Sequence, residues 1–212
     1  MISMKLLKLL SVAALSAASM MANAAGVDAL SGLLKNVETF TANFTQTMRS
    51  QSGQVLQEVT GTLKAKRPGL FFWKTRAPLE QTIVTDGQQV WIYDPDLEQV
   101  TIQHLSQQLS NTPALLLSGE VGKIDEQYQV EQQPESQPGQ VDFLLRPKGV
   151  DSLFDTLQLS FVNDQLVSMK LKDSLGQQTS LFFTAVSVNQ TISEKAFHFE
   201  IPDGVDVIRE AP

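Results

Sequence analysis

The sequence contains no cysteine, only two histidines and no apolar run long enough to cross a membrane. Without cysteine the chain can form neither disulfides nor thiolate metal sites. It also has no cysteine to carry a lipid anchor at the start of an exported protein. The apolar stretch from Leu9 to Ala18 is shorter than the roughly 20 residues of a membrane-spanning helix. We therefore expect a chain that is not anchored in a membrane.

The common catalytic motifs are also missing. Neither G-x-S-x-G, H-E-x-x-H, C-x-x-C nor a phosphate-binding loop occurs. His198 alternates with two phenylalanines, which favours a position on a strand surface, and His104 has no candidate metal ligand close to it in the sequence. Asp94 and Asp96 could form a carboxylate pair or bind Ca²⁺, but Asp-Pro-Asp between strands is more typical of a turn. We predict a protein that is not an enzyme and holds no cofactor or metal.

The first 24 residues have the pattern of a secretory signal peptide. Lys5 and Lys8 form a basic start, Leu9 to Ala18 an apolar core, and Ala22-Asn23-Ala24 a small-residue cleavage site. We expect cleavage after Ala24, which leaves residues 25–212 as one domain in a bacterial periplasm.

Acidic residues outnumber basic ones by 23 to 16, so the formal net charge is −7. The predicted signal peptide contains two lysines and no acidic residue, and its removal would change the net charge to −9. Such an acidic chain is poorly suited to nucleic acid or to anionic lipid surfaces, because phosphate groups would repel it. We expect a soluble monomer.

The spacing of apolar residues predicts a mainly β protein. One amphipathic helix is predicted over Gly26–Glu38. From Thr39 onward apolar and polar residues alternate, and Asp86-Gly87 is typical of a hairpin turn. About ten or eleven strands are predicted in meander order, the last of them over Ala196–Ile201.

A second and very apolar helix is predicted over Thr112–Gly119, where Pro113 suits the first helical position. An antiparallel sheet of this size tends to curl, and two apolar helices could plug its inner side. The sequence therefore predicts an incomplete, half-open antiparallel β-barrel of about 11 strands with helices against its cavity.

The segment KRPGLFFWK, residues 66–74, places large apolar side chains on both sides of a predicted strand. Phe71 and Trp73 share one face, and their apolar neighbours share the other. The same pattern occurs at Leu181-Phe182-Phe183 and at Val90-Trp91-Ile92-Tyr93. Both faces therefore need to be covered by helices or neighbouring chain, or to line an apolar cavity. The sequence leaves open which face has which role.

A series of short segments, taken in order along the chain, forms a distinctive set. They are FTANFTQ, GTLKAKRPGLFFW, VTDGQQVWIYDP, LEQVTI, NTPALLL and FHFEIPDGV. Together they resemble the LolA family of periplasmic carriers of outer-membrane lipoproteins. The sister family LolB shares the fold but has a cysteine at its mature start, so this cysteine-free sequence is similar to the soluble carriers instead.

The resemblance implies an incomplete β-barrel with a helical lid over a hydrophobic cavity. It implies a protein that binds the acyl chains of lipoproteins. An inner-membrane ABC transporter of the LolCDE type would supply the cargo, and an outer-membrane receptor of the LolB type would receive it.

The resemblance also implies roles for particular residues. Arg67 corresponds to an arginine that holds the lid shut through hydrogen bonds to the lid backbone. Phe71 aligns with a phenylalanine linked to transporter contact and release. The predicted lid helix contains Ala114, Leu115, Leu116 and Leu117. The aromatic residues expected to line the cavity are Phe40, Phe44, Phe71, Trp73, Trp91 and Tyr93.

Each of these roles has a simpler alternative in the sequence. Most arginines are solvated or paired with surface carboxylates, and most aromatic residues belong to a core. A latch is nevertheless physically reasonable, because the last carbonyls of a helix lack partners and a guanidinium offers five donors. If residues 115–118 end near Arg67, we expect their carbonyls to accept its hydrogen bonds. Two further functions remain open, a periplasmic binding protein for another amphiphile or glycolipid and, less favoured, a secreted hydrolase.

Overall fold

A computed structural model describes residues 25–105, 117–119, 121–149, 152 and 154–209 of the chain. Helix α1 spans residues 25–34 and α2 spans Ile124–Gln127, directly after a 3-10 helix at Val121–Lys123. The strands are β1 Thr39–Arg49, β2 Val55–Lys66, β3 Leu70–Thr75, β4 Thr82–Asp86, β5 Gln89–Asp94, β6 Gln99–His104, β7 Tyr128–Gln132, β8 Gln140–Pro147, β9 Phe154–Val162, β10 Gln165–Asp173, β11 Gln178–Val188 and β12 Asp206–Arg209. None of the helices in this part of the chain is long and apolar enough to cross a membrane.

The 12 strands form one sheet in the order β12-β6-β5-β4-β3-β2-β1-β11-β10-β9-β8-β7. Two meanders, β1 to β6 and β7 to β11, meet where β1 pairs with β11. All pairs are antiparallel except β12 with β6. Since β7 and β12 are edges that do not pair with each other, the sheet is open, which confirms the predicted incomplete barrel with one strand more than expected.

The strand register assigns every side chain to one of two faces. On β3, Phe71 and Trp73 lie opposite Ala65 and Leu63 of β2 and share the buried inner face with them. Inner-face residues of β4 and of β9 line the same cavity, so the sheet curls until strands far apart in its order face each other. Helix α1 lies on this inner side, where Leu30 and Leu34 are buried in the main core.

The outer face of β3 to β6 is covered by the C-terminal segment. A 3-10 helix at Glu194–Phe197 contacts β3 and β4, and the Phe199 ring lies 5.9 Å from that of Tyr93. Outer-face residues beneath this segment, such as Val84 and Val100, are fully buried. This cover explains why β3 and β5 have apolar side chains on both faces.

Three predictions about elements need correction. The strand expected over Ala196–Ile201 is a 3-10 helix followed by irregular chain, and β12 comes later, so His198 is exposed but not on a strand. The alternation of Phe197 and Phe199 with polar residues reflects packing onto the outer face rather than strand pairing. Helix α1 ends at residue 34 rather than 38. At 181–183 only one face is buried, because Phe182 is 49% exposed.

Candidate functional site

A cavity of about 510 Å³ lies on the inner face of the curled sheet. Its walls come from two groups of strands that face each other across the half-barrel. Met48 and Val59 stand on β1 and β2, while Met169, Leu171 and Leu181 stand on β10 and β11. Ten of the 18 lining residues are apolar, and polar side chains such as Gln46 and Gln57 share the walls with them. The apolar part of the wall suits a hydrocarbon chain.

A stacked pair of aromatic rings borders this cavity. Trp73 lines it directly, and the Phe44 ring stacks on Trp73 with centroids 3.7 Å apart and planes 22° apart. Phe44 fits there because Gly61 lies opposite it on β2, and a Cβ at Gly61 would meet the Phe44 Cζ atom at 2.3 Å. Phe71 follows in the same layer, fully buried, with its ring 6.4 Å from that of Trp73.

A second and smaller cavity of about 270 Å³ lies between α1 and the sheet. Phe40 lines it together with Leu34 of α1, Arg67 and Leu117. Apolar side chains of α1 therefore occupy the inner side of the half-barrel at this end, while the larger cavity remains unfilled at the other.

Arg67 connects the sheet to the end of α1. Its backbone N–H donates to the Glu38 carbonyl at 2.9 Å, and its Nη1 donates to the carbonyls of Leu34 at 2.5 Å and Val37 at 2.8 Å. Burial lowers the pKa of the guanidinium, which nevertheless remains protonated because an arginine begins so far above neutrality. A positive charge at the C-terminal end of a helix is also stabilising, because the helix dipole places a partial negative charge there.

The described acceptors of Arg67 lie at the end of α1 and just after it, and the acceptors expected in the helix after Pro113 stay a prediction. Of the expected acceptors, residues 115 and 116 lie outside the described residues. The Ser118 carbonyl accepts the N–H of Gly69, at 2.8 Å. The turn between β2 and β3 therefore holds α1 through Arg67 and the chain at Ser118 through Gly69. The latch role itself stays a prediction.

The other predicted lid residues are Ala114, Leu115, Leu116 and Leu117. Ala114, Leu115 and Leu116 lie outside the described residues. Leu117 is described, and it is buried and lines the second cavity.

Two of the predicted cavity residues lie on the wrong face. On β5, Trp91 pairs with Val84 and Tyr93 pairs with Thr82, and this register places both aromatic side chains on the outer face. They are half-buried there, and Tyr93 packs against Phe199 of the C-terminal segment. Their inner-face neighbours are Val90 and Ile92, smaller residues that the sequence pattern could not distinguish from them.

The aliphatic walls of the cavity were not predicted from the sequence. These wall residues occupy alternating strand positions, as the inward-facing residues of any sheet do. They include Met48, Val59, Leu171 and Leu181. Alternation could have identified them as inward-facing residues, but it does not distinguish a filled core from an open cavity.

The remaining polar candidates behave as structural groups. The Asp94 carboxylate accepts the backbone N–H groups of Asp96 at 3.1 Å and Leu97 at 3.2 Å, which is the turn that the sequence predicts. Within the described ranges no three histidine, aspartate or glutamate side chains cluster as metal ligands.

Comparison with known proteins identifies the family. Residues 35–200 match the family described as outer membrane lipoprotein carrier protein LolA. The chain belongs to the LolA family. An outer-membrane lipoprotein carrier protein of Pseudomonas aeruginosa PAO1 is 48% identical over 210 residues, which cover 98% of this chain and 100% of that relative. A protein of the same name from Azotobacter vinelandii is 45% identical over 202 residues, covering 95% of this chain and 97% of the relative.

Solved structures share the fold at low sequence identity. A LolA superfamily protein from Nitrosomonas europaea superimposes with a TM-score of 0.50 and 12% identity, over 84% of this chain and 97% of its own. An uncharacterised conserved protein from Thermus thermophilus gives a TM-score of 0.54 and 15% identity, over 86% of this chain and 99% of its own. The open, curled sheet is therefore an architecture found in this superfamily.

Proposed function

We propose that this LolA-family protein shields the acyl chains of lipoproteins while it carries them through the periplasm to the outer membrane. The observation that carries the proposal is the apolar cavity of about 510 Å³ on the inner face of the open sheet, in a chain that belongs to a family of lipoprotein carriers. The predicted signal peptide, with cleavage after Ala24, supports export to that compartment.

The energetics of the cargo explain why such a cavity is needed. Burying one methylene group is worth about 0.8 kcal/mol, so a sixteen-carbon chain exposed to water costs roughly 12 kcal/mol. A lipid-modified protein therefore does not leave a membrane at a useful rate unless another apolar surface covers its chains. Side chains such as Met169 and Leu171 offer that surface.

The cargo must also be released, which requires that the cavity not bind it too tightly. A cavity that closes on its own apolar elements when empty lowers the net affinity, because opening costs free energy. Arg67 fits such a closing device, since it fastens the end of α1 to the β2–β3 turn. The closing element that we propose consists of α1 and the helix predicted after Pro113.

The proposal includes two membrane partners: a LolCDE-type ABC transporter that loads the protein and a LolB-type receptor that unloads it. The transporter contact predicted at Phe71 stays a prediction. The Phe71 side chain is fully buried, so a partner could touch it only after the inner layer opens.

The test fills the cavity with one larger side chain. Leu171→Trp places an indole in the cavity, because Leu171 lines it from β10. If the indole displaces two or three methylene groups of a bound chain, acyl-chain affinity falls about 10- to 50-fold. The measurement is displacement of a polarity-sensitive dye by a lipidated peptide. The matched control is Thr184→Trp, at an exposed position on β11, which should leave the affinity unchanged. Equal affinities for the two variants would exclude this cavity as the binding site.

A further inference from the structure

The larger cavity has an opening whose charge is all of one sign. The lining residues that are also exposed mark where the cavity meets solvent, and they lie in the turns after β3 and β5. Leu79 and Leu97 are 46% and 67% exposed there. The other exposed residues of this rim are Glu80 and Asp96, and the half-buried Asp94 lines the cavity next to them at the end of β5. The lining contains no lysine, arginine or histidine among the described residues.

The two acidic turns are held in place by hydrogen bonds. In the turn after β3, the Thr75 hydroxyl donates to the Leu79 carbonyl at 2.6 Å. In the turn after β5, the Asp94 carboxylate accepts two backbone N–H groups. These bonds hold the backbone of both turns at the opening, and Glu80 and Asp96 project from them.

Basic residues at the same end of the strands do not neutralise this rim. Arg49 and Lys172 alternate with inner-face residues and so point to the outer face. Arg49 Nη1 donates to the Gly53 carbonyl at 3.2 Å, and Arg76 Nη1 lies 3.5 Å from the outer-face hydroxyl of Thr60. These basic side chains therefore lie on the side of the sheet opposite to the cavity.

We propose that Glu80 and Asp96 make the cavity select lipids without a phosphate group, so that membrane phospholipids with anionic headgroups are excluded while lipidated proteins are admitted. This inference rests on the proposed function. The acyl chains of phospholipids and of lipoproteins are alike, so an apolar wall cannot distinguish them. With the chains inside the cavity, the headgroup lies at the opening, and a phosphate there meets the rim carboxylates. An acylated protein terminus has uncharged ester and amide groups at this point, and these are not repelled.

The test compares two soluble lipids that have the same chains. Dihexanoylglycerol is uncharged and dihexanoylphosphatidic acid carries a phosphate. Both compete with the uncharged dye Nile red, so the charge of the probe does not enter the result. The preference is the ratio of the affinity for the uncharged lipid to the affinity for the phosphate lipid. In the double variant Glu80→Gln/Asp96→Asn, we expect this ratio to be about fivefold lower than in wild type at low salt. Raising the salt concentration should reduce the wild-type preference, because exposed charges are screened.

A matched control removes two negative charges elsewhere. Glu200→Gln/Asp203→Asn changes exposed residues of the C-terminal segment and should keep the wild-type preference. Thermal unfolding of each variant checks that the fold is retained. The inference is wrong if the rim variant and wild type prefer the uncharged lipid to the same degree. If neither lipid displaces the dye from wild type, the proposed function fails as well.

Discussion

At the scale of single residues, Arg67 links the sheet to its helical cover. The Leu34 carbonyl at the end of α1 and the Val37 carbonyl just beyond it accept from one guanidinium nitrogen, and the backbone N–H of Arg67 donates to the Glu38 carbonyl. The three contacts join the chain before β1 to the turn after β2. Hydrogen bonds from a charged donor contribute about 1.5–3 kcal/mol each, enough to favour one position of a helix without making it permanent.

Arg67→Leu should therefore loosen α1. Loss of the guanidinium leaves the carbonyls of Leu34 and Val37 without this donor. We expect amide hydrogen exchange in α1 to become about 100-fold faster, whereas exchange in β9 changes little. Hydrogen exchange with mass spectrometry measures both elements in one experiment. The same variant should bind lipoprotein but transfer it poorly to the receptor.

Arg146→Leu is the control for this prediction. Arg146 is exposed and pairs only across the surface with Glu131, at 3.2 Å, and exposed pairs contribute little to stability. The latch would be disproved if amide exchange in α1 were equally slow in Arg67→Leu and Arg146→Leu and if Arg67→Leu also transferred lipoprotein normally.

The sequence predicted that Arg67 donates to backbone carbonyls at a helix end, but its contact with the end of α1 was not foreseen. The last carbonyls of a helix lack partners and carry partial negative charge. The Arg67 guanidinium, placed just before a strand, can donate hydrogen bonds to them. Which helix it reaches depends on how the sheet curls, and a local pattern contains no information on this. The same limit explains the mistake at Trp91 and Tyr93, since Val90 and Ile92 are apolar too and only the pairing with β4 assigns the faces.

At the scale of elements, β1, β2 and β3 pack closely on the inner face. Phe44 on β1 lies over Gly61 on β2 and stacks on Trp73 of β3. The glycine lets an aromatic ring lie directly on the backbone of the sheet. This layer is the rigid border against which the larger cavity opens.

Gly61→Ala should strongly destabilise the protein. The added Cβ would lie 2.2 Å from the Lys74 carbonyl oxygen and 2.3 Å from Phe44 Cζ, and the backbone oxygen cannot move without breaking the β2–β3 pairing. We expect the free energy of unfolding to fall by about 3 kcal/mol, as for overpacking of a core. Urea denaturation measures the change.

Gly32→Ala tests whether that effect is steric. Gly32 lies in α1, and a Cβ there meets no heavy atom within 4 Å. Alanine is favoured over glycine inside a helix by about 1 kcal/mol, so this variant should be slightly more stable than wild type. A Gly61→Ala protein as stable as Gly32→Ala would refute the tight packing of Phe44.

The strands and turns of the two meanders were easier to predict than the pairing of the last strand, β12, with β6. Alternation identified the strands of both meanders, and Asp86-Gly87 correctly predicted a hairpin, in which the Asp86 carboxylate accepts the N–H groups of Gln88 and Gln89 at 2.9 Å. Strand β12 was missed because Asp206–Arg209 is short and exposed, and its parallel pairing with β6 joins distant parts of the chain.

At the scale of the whole molecule, the open sheet separates two apolar regions. The inner face contains the main core, α1 and the cavity, and the outer face of β3 to β6 is sealed by the C-terminal segment. Apolar side chains on both faces of β3 suggested that two covers exist. The cavity walls could not be predicted, because an unfilled space results from the curvature of the sheet and not from any residue type.

The most direct test of the account is to map where an acyl chain lies in the loaded protein. A lipidated peptide with a photoreactive diazirine on its acyl chain is bound and irradiated, and the labelled residues are identified by mass spectrometry. We predict labels on inner-face residues around the cavity, such as Met48, Met169 and Leu171. Labels confined to the outer face, for example at the exposed Phe182, would contradict the claim that acyl chains are carried inside the half-barrel.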